Sequence, residues 1–294
     1  MRSNNDSLFI RALDAHYPTA IPQSDFVRSS IERLAPHGFE PGRALASVAV
    51  CRDELAGPLL ADVEAMWGPA FSLASLAGML TGGRTAIAAA ADHAPIHQGR
   101  RRLVLYAMAH IGLDGNGRPG MVHREGLTRP SSACGALTAL QAATRAGGPA
   151  PAFDPTDPEQ SLLALRLAPT DGQPRAAGLV ELTDRAALAI DEDASRLLAE
   201  RTGRQTTGEE SAPIDAALFT GIQIHGPDGA SLVQPLGSHL LVGGEPRDLD
   251  AKPEPEPDPS RRPKIARWLA RGAVASTVLV IVGARRPVSP RVGL

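Results

Sequence analysis

Apolar runs of strand length recur along the chain, separated by stretches with helical periodicity. The runs at residues 45–50, 103–112 and 218–226 contain few polar positions, which is typical of strands buried on both faces of a sheet. A shorter run at residues 239–244 is a candidate fourth strand. Because the runs alternate with helical segments, the pattern predicts an α/β fold with a mostly parallel central sheet flanked by helices.

The helical segments have recognisable starts and stops. Helices are predicted over residues 25–35, 52–68 (with a break near Gly57 and Pro58), 84–94, 134–145, 158–168 and 182–203. Ser131 or Ser132 is the predicted N-cap of the helix that begins at Cys134. Asp157 followed by Pro158 is a favourable start for the next helix.

The changes in pattern divide the chain into three segments. Residues 1–35 form an N-terminal helical segment, in which Phe26, Ile31 and Leu34 are the predicted buried side chains. Residues 36–250 form the α/β domain, and residues 251–294 form a Pro-rich, charged linker followed by a short hydrophobic tail.

The hydrophobic tail is short for a membrane span. Its uncharged part, residues 272–284, has 13 residues. As a helix it would be about 20 Å long at about 1.5 Å per residue, whereas a bilayer core is about 30 Å thick. We therefore expect no membrane span, and contact with a membrane surface through the tail is the less favoured alternative.

Composition narrows the function classes. The 30 Lys and Arg residues almost balance the 32 Asp and Glu residues, so no basic face for nucleic acid is expected. The 3% aromatic content also argues against a base-stacking surface. The N-terminus lacks the apolar core of a secretory signal, so we expect a cytoplasmic protein. Two cysteines cannot form a disulfide framework, and in a reducing compartment they are thiols or metal ligands.

Three side chains with metal-binding chemistry lie at the ends of predicted elements. Cys51 and His110 end apolar runs, and Cys134 begins a helix, where the helix N-terminus favours a thiolate. Because the carboxyl ends of parallel strands meet at one edge, these groups can converge there. Three ligands would leave the fourth position of zinc open, as catalytic sites require. The alternative is two buried thiols and a hydrogen-bonded histidine without a metal, since the spacing is not a short motif.

Asp53 lies two residues after Cys51 and has two interpretations. It could accept a hydrogen bond from hydroxide at zinc and orient it. It could equally cap the helix that follows, and one carboxylate can do both.

The Gly-rich run after His110 partly matches two known motifs, a dinucleotide-binding loop and a calcium loop. Gly115, Gly117 and Gly120 have dinucleotide-binding spacing, but no helix is predicted to open after them, so a hairpin-like turn is expected. Asp114 begins a sequence similar to a calcium loop, but Arg118 occupies a position that needs an oxygen ligand.

Several segments together resemble a known family. They are VAVCRDE (48–54), FSLASLAGMLTGGRTAIAAAADHAP (71–95), LVLYAMAHIGLDGNGRPGMVHREG (103–126), SSACGAL (131–137) and LFTGIQIHGPDG (218–229). Over about residues 20–248, judged by motif order, the chain resembles the limiting-CO2-inducible B (LCIB-type) proteins, which are relatives of β-carbonic anhydrases. The resemblance implies a β-carbonic anhydrase-like fold and a homodimer.

The resemblance also implies roles for individual residues. It assigns zinc binding to Cys51, His110 and Cys134, and it maps the catalytic Cys-x-Asp pair of the family onto Cys51 and Asp53. One departure concerns Leu55, which stands where β-carbonic anhydrases usually have an arginine that pairs with the aspartate.

Three arginines are candidates for that missing partner: Arg52, Arg84 and Arg124. The sequence does not choose among them. Two histidines, His93 and His123, are candidate proton relays, because free histidine titrates near pH 6.5.

The predicted function is a zinc-dependent carbonic anhydrase that hydrates CO2 reversibly to bicarbonate through hydroxide at zinc. Phe71, Leu73 and Met79 are candidates for the apolar wall of a CO2 pocket. The first alternative is a catalytically silent zinc-binding subunit of an inorganic-carbon-handling complex. Two weaker alternatives are a metal-free redox pair of Cys51 and Cys134 and a zinc hydrolase of another small carbonyl substrate.

Overall fold

A computed structural model describes residues 4–146, 151–169, 176, 178–203 and 212–249 of the chain. The predicted tail at residues 251–294, with its apolar stretch, lies outside these residues. Within the described part of the chain, no helix combines the length and the apolar character needed to cross a bilayer.

Helices and strands alternate along most of the described chain. The helices are α1 (Asn4–His16), α2 (Gln23–Leu34), α3 (Gly57–Trp67), α4 (Gly83–His93), α5 (Gly135–Arg145), α6 (Pro158–Leu167) and α7 (Leu179–Thr202). The strands are β1 (Ile21–Pro22), β2 (Leu45–Ala49), β3 (Phe71–Ser72), β4 (Ile96–His97), β5 (Arg100–Gly112), β6 (Met121–Val122), β7 (Ser131–Ser132), β8 (Ile214–His225), β9 (Ser231–Val242) and β10 (Glu245–Arg247).

The central sheet has the strand order β1-β9-β8-β5-β2-β3. Strands β3, β2, β5 and β8 are adjacent and parallel to one another, which confirms the mostly parallel central sheet flanked by helices. The predicted strand at residues 239–244 belongs to β9, which begins earlier and runs antiparallel to β8. The short strands β10 and β4 extend the sheet beside β9 and β5, and β6 pairs with β7 in a separate ribbon.

The core lies where β5 and β8 run side by side, buried along almost their whole length. Tyr106 of β5 stacks on Phe219 of β8 with ring centroids 5.5 Å apart. Phe26 of α2 packs edge-on against both rings. As predicted, Phe26 and Leu34 are buried, but Ile31 is only half-buried, because the buried face of α2 is centred on Val27 and Ser30 instead.

The start of α5 differs from the prediction. Ser131 and Ser132 form β7, where they pair with β6, and the N-cap of α5 is Cys134. The prediction of a serine cap is wrong because strand pairing, together with the guanidinium of Arg124, already uses the polar groups of this segment.

The Gly-rich run after β5 forms a turn. The carboxylate of Asp114 accepts hydrogen bonds from the backbone N–H groups of Asn116 and Arg118, both at 2.9 Å, and from the Arg118 guanidinium at 2.7 Å. The chain then enters β6, and no helix opens after the glycines. The hairpin-like turn is therefore confirmed, and Asp114 is used to hold it.

A tight backbone contact fixes the turn at Leu76–Gly78, which packs against the sheet beside the ends of β2 and β5. Gly78 has φ +78°, and a Cβ there would overlap the carbonyl oxygen of Met108 and lie 3.5 Å from Cα of Val50. Val50 precedes Cys51, and Met108 lies two residues before His110. The turn therefore braces the backbone beside both of those residues.

This contact predicts a large loss of stability for Gly78→Ala. Left-handed backbone costs a non-glycine residue about 1–2 kcal/mol, and overpacking against fixed backbone adds about 1–3 kcal/mol. Gly42→Ala is the matched control, because Gly42 has φ +77° but no atom within 4 Å of the added Cβ. Denaturant unfolding should show a clearly larger loss at Gly78, and equal losses would mean that the turn is not tightly packed.

Candidate metal centre

Cys51 is held just beyond the end of β2 by a neighbouring segment. It forms a parallel β-bridge with Ser75. The Ser75 N–H donates to the carbonyl of Val50 at 3.1 Å, and the Arg52 N–H donates to the carbonyl of Ser75 at 3.2 Å. These bonds on both sides of Cys51 fix the direction in which its side chain leaves the sheet.

His110 and Cys134 approach the same place from two other elements. His110 lies two residues before the end of β5 and is in register with Gln223 of β8. Cys134 is the N-cap of α5, and its carbonyl accepts hydrogen bonds from the backbone N–H and the hydroxyl of Thr138. The position of Cys134 is therefore set by the first turn of α5.

The three predicted ligands converge in a buried cluster. One ligand atom from each of Cys51, His110 and Cys134 lies within 4.8 Å of the other two, and all three residues are buried. The two sulfur atoms are 3.8 Å apart. Two sulfurs and one imidazole at this spacing could hold a metal ion.

The state of the His110 imidazole also fits a metal. Its Nδ1 lies 3.1 Å from Nε2 of His225, whereas its Nε2 is buried without a hydrogen-bond partner in the described structure. A buried polar atom without a partner is costly, and coordination would satisfy it. Burial, followed by the nearby His110, lowers the pKa of His225 to about 3, so His225 is a neutral neighbour.

A hydrogen bond couples the two cysteines. The hydrogen bond from Cys134 lowers the pKa of Cys51 to about 4, and the same bond raises the pKa of Cys134. The expectation that the helix N-terminus gives Cys134 the lowered pKa is wrong. The N–H groups of Leu137 and Ala136 do act in that direction, but pairing with Cys51 and burial outweigh them. Because metals bind thiolates, a divalent cation would favour the deprotonated form of both cysteines.

Arg124 is the arginine that pairs with Asp53. Its Nη2 lies 2.9 Å and 3.0 Å from the two carboxylate oxygens of Asp53. Of the other two candidates, Arg52 pairs with Glu159 and Arg84 pairs with Glu200. The pair of Asp53 and Arg124 takes the place of the arginine that is missing at position 55.

Arg124 also joins the two segments that carry the cysteines. On one side it donates to Asp53 and Glu54, just after Cys51. On the other side its Nη1 donates to the hydroxyl of Ser131 at 2.5 Å and to the carbonyl of Ser132 at 2.8 Å, just before Cys134. A single guanidinium therefore links the two cysteine-bearing loops.

Asp53 has the capping role that the sequence suggested. Its Oδ1 accepts a hydrogen bond from the Leu55 N–H at 3.2 Å and caps the short 3-10 turn at Glu54–Ala56. The bidentate contact with Arg124 fixes the same carboxylate from a second side. Asp53 is therefore held in one orientation beside Cys51.

The other predicted residues have clear positions. His93 is exposed at the end of α4, and its ring lies against Phe71 with centroids 5.3 Å apart. His123 is also exposed. Phe71 and Leu73 are partly buried, and Met79 is buried in the core. Their predicted roles in proton relay and in the CO2 pocket stay predictions.

Comparisons with known proteins show the family and the fold of this chain. Residues 20–242 match the family described as limiting CO2-inducible proteins B/C beta carbonic anhydrases. The fold is similar to the crystal structure of PtLCIB4, a homolog of the limiting CO2-inducible protein LCIB, with a TM-score of 0.67 and 25% identity over 81% of this chain and 98% of that one. It is also similar to the crystal structure of LCIB itself, with a TM-score of 0.61 and 27% identity over 81% and 97%. A search of curated proteins found no match.

Proposed function

This chain belongs to the family of limiting CO2-inducible proteins B/C β-carbonic anhydrases, and from that premise we propose that it is a zinc-dependent carbonic anhydrase. In this proposal it interconverts CO2 and bicarbonate. The observation that carries the proposal is the buried convergence of Cys51, His110 and Cys134, whose ligand atoms lie within 4.8 Å of one another.

The donor set favours zinc over other common metals. Thiolate and imidazole ligands suit zinc, whereas magnesium and calcium prefer oxygen ligands. Three protein ligands are the usual number in a catalytic zinc site, since the fourth position must stay open. Cys51, His110 and Cys134 supply this number from three different elements.

The residues around the metal position have distinct tasks in the proposed reaction. Zinc, when bound, supplies Lewis acidity that lowers the pKa of water at the open position to about 7. In this proposal the carboxylate of Asp53, which Arg124 holds by two hydrogen bonds, would accept a hydrogen bond from the attacking oxygen and orient it towards CO2. Arg124 also offsets the negative charge of Asp53. Two thiolates and a neutral imidazole would leave the zinc site near net zero charge.

A hydration assay tests this function. Stopped-flow measurement should show CO2 hydration by zinc-loaded protein and loss of most of that activity after removal of zinc with a chelator. Re-addition of zinc should restore it. Hydration at the uncatalysed rate by fully zinc-loaded, folded protein would refute the proposal and leave the silent zinc-binding subunit as the better interpretation.

The leucine at position 55 favours the silent subunit, because it leaves Asp53 without the usual arginine. Arg124 now makes that contact from another part of the chain. The redox-pair alternative predicts instead that purified protein contains no stoichiometric metal.

Assembly and location are part of the same proposal. The family resemblance implies a homodimer, and the proposed reaction makes CO2 and bicarbonate its ligands. The expectation of no nucleic-acid partner rests on the balanced charge and the low aromatic content of the sequence. The cytoplasmic location stays a prediction. Analytical ultracentrifugation of the purified chain would test the dimer.

A further inference from the structure

His225 is a buried polar side chain that the proposed reaction does not use directly. It is the last residue of β8 and is only 5% exposed. In the sheet it is in register with Gly112, two residues after His110, so its side chain lies on the same face as that of His110. The two imidazole rings meet edge to face, with centroids 5.3 Å apart.

We propose that His225 is a positioning residue for the metal ligand His110. In this inference, which rests on the proposed metal site, Nδ1–H of His110 donates to Nε2 of His225. The lone pair of His110 Nε2, which has no partner among the described groups, is then directed towards the two sulfurs.

A hydrogen-bond acceptor beside Nδ1 of His110 would fix the tautomer of that imidazole. A neutral imidazole carries its proton on either nitrogen, and only the Nδ1–H form leaves Nε2 free to coordinate. Histidine ligands commonly donate their other N–H to an acceptor that orients the ring. Nε2 of His225 supplies a nitrogen acceptor 3.1 Å from Nδ1 of His110, so it selects this tautomer.

The position of His225 depends on the sheet. The pairing of β5 with β8 continues without interruption from Arg101 and Ile214 to Gly112 and His225. The distance between the two rings is therefore set by backbone register. Gln223, beside His110 in the same register, is also buried but donates its amide to Gln23 at 2.7 Å instead.

Metal affinity of His225 variants tests the inference. Zinc and cobalt affinities are measured by competition with a chromophoric chelator, independently of CO2 hydration. His225→Phe should lower the affinity about 10–100-fold, the range for loss of an orienting partner. His225→Gln, whose amide oxygen can accept from Nδ1–H, should recover most of the loss. Gln223→Leu is the matched control and should keep wild-type affinity, with circular dichroism confirming that each variant folds.

A second readout reports the tautomer itself. In zinc-loaded wild-type protein, ¹H–¹⁵N NMR should show a slowly exchanging Nδ1–H resonance for His110, shifted or lost in His225→Phe. Wild-type affinity in His225→Phe, or equal losses in His225→Phe and Gln223→Leu, would overturn the inference. Tight zinc binding without CO2 hydration would refute only the proposed function, whereas no zinc binding by wild-type protein would overturn both.

Discussion

Cys134→Ser is expected to remove zinc and CO2 hydration together. A serine hydroxyl remains protonated at neutral pH and is a poor zinc ligand, so only Cys51 and His110 would remain. Structural zinc sites with four ligands bind with about 10–16 kcal/mol, or about 3 kcal/mol for each ligand. Zinc affinity should therefore fall by about 100-fold or more, and hydration should fall to the uncatalysed rate.

The measurement is zinc content after dialysis, together with stopped-flow hydration. Ser47→Ala is a suitable control, because Ser47 is buried in β2 without a hydrogen-bond partner among the described residues and is not one of the clustered ligands. It should retain zinc and activity. Zinc content in Cys134→Ser equal to that of the wild type would show that Cys134 is not a ligand.

Arg124→Ala is expected to lower hydration while leaving zinc bound. The change removes the two hydrogen bonds that Arg124 donates to Asp53 and the two that it donates to Ser131 and Ser132. Loss of such an orienting partner lowers activity by about 10–100-fold. Because the metal ligands themselves remain, the fall should appear mainly in kcat.

A conservative variant separates charge from geometry. Arg124→Lys keeps the positive charge, but its single nitrogen cannot contact Asp53, Glu54 and Ser131 together as the three guanidinium nitrogens do. It should therefore recover only part of the activity. Arg84→Ala is the control, because Arg84 pairs with Glu200 at the surface. Full kcat in Arg124→Ala, with zinc retained, would contradict the proposed orienting role of Asp53 and Arg124.

The sequence predicts the sheet and the ligand cluster for physical reasons. Strands β2, β5 and β8 are buried on both faces. Each therefore appears in the sequence as an apolar run, which identifies the strand without knowledge of its neighbours in the sheet. Cys51 and His110 lie near the ends of two such strands. Their convergence follows from the parallel sheet, which places those ends at one edge.

Contacts that depend on loop paths are less accessible from sequence. The pairing of Asp53 with Arg124 requires β6 and β7 to form a ribbon that brings residue 124 back to the Cys51 loop. The contact of His225 with His110 requires the exact register of β8 against β5. The short strand at Ser131–Ser132 displaced the expected serine cap, because these residues have polar partners outside α5. No local motif encodes any of these contacts.

X-ray absorption at the zinc edge of the purified, zinc-loaded protein would test the ligand set most directly. With Cys51, His110 and Cys134 as ligands, the spectrum should fit two sulfurs at about 2.3 Å and nitrogen or oxygen neighbours at about 2.0–2.1 Å. One of the lighter neighbours should show the scattering pattern of an imidazole. A zinc shell without sulfur, or a protein that binds no stoichiometric zinc, would contradict the proposed metal centre and the hydratase function built on it.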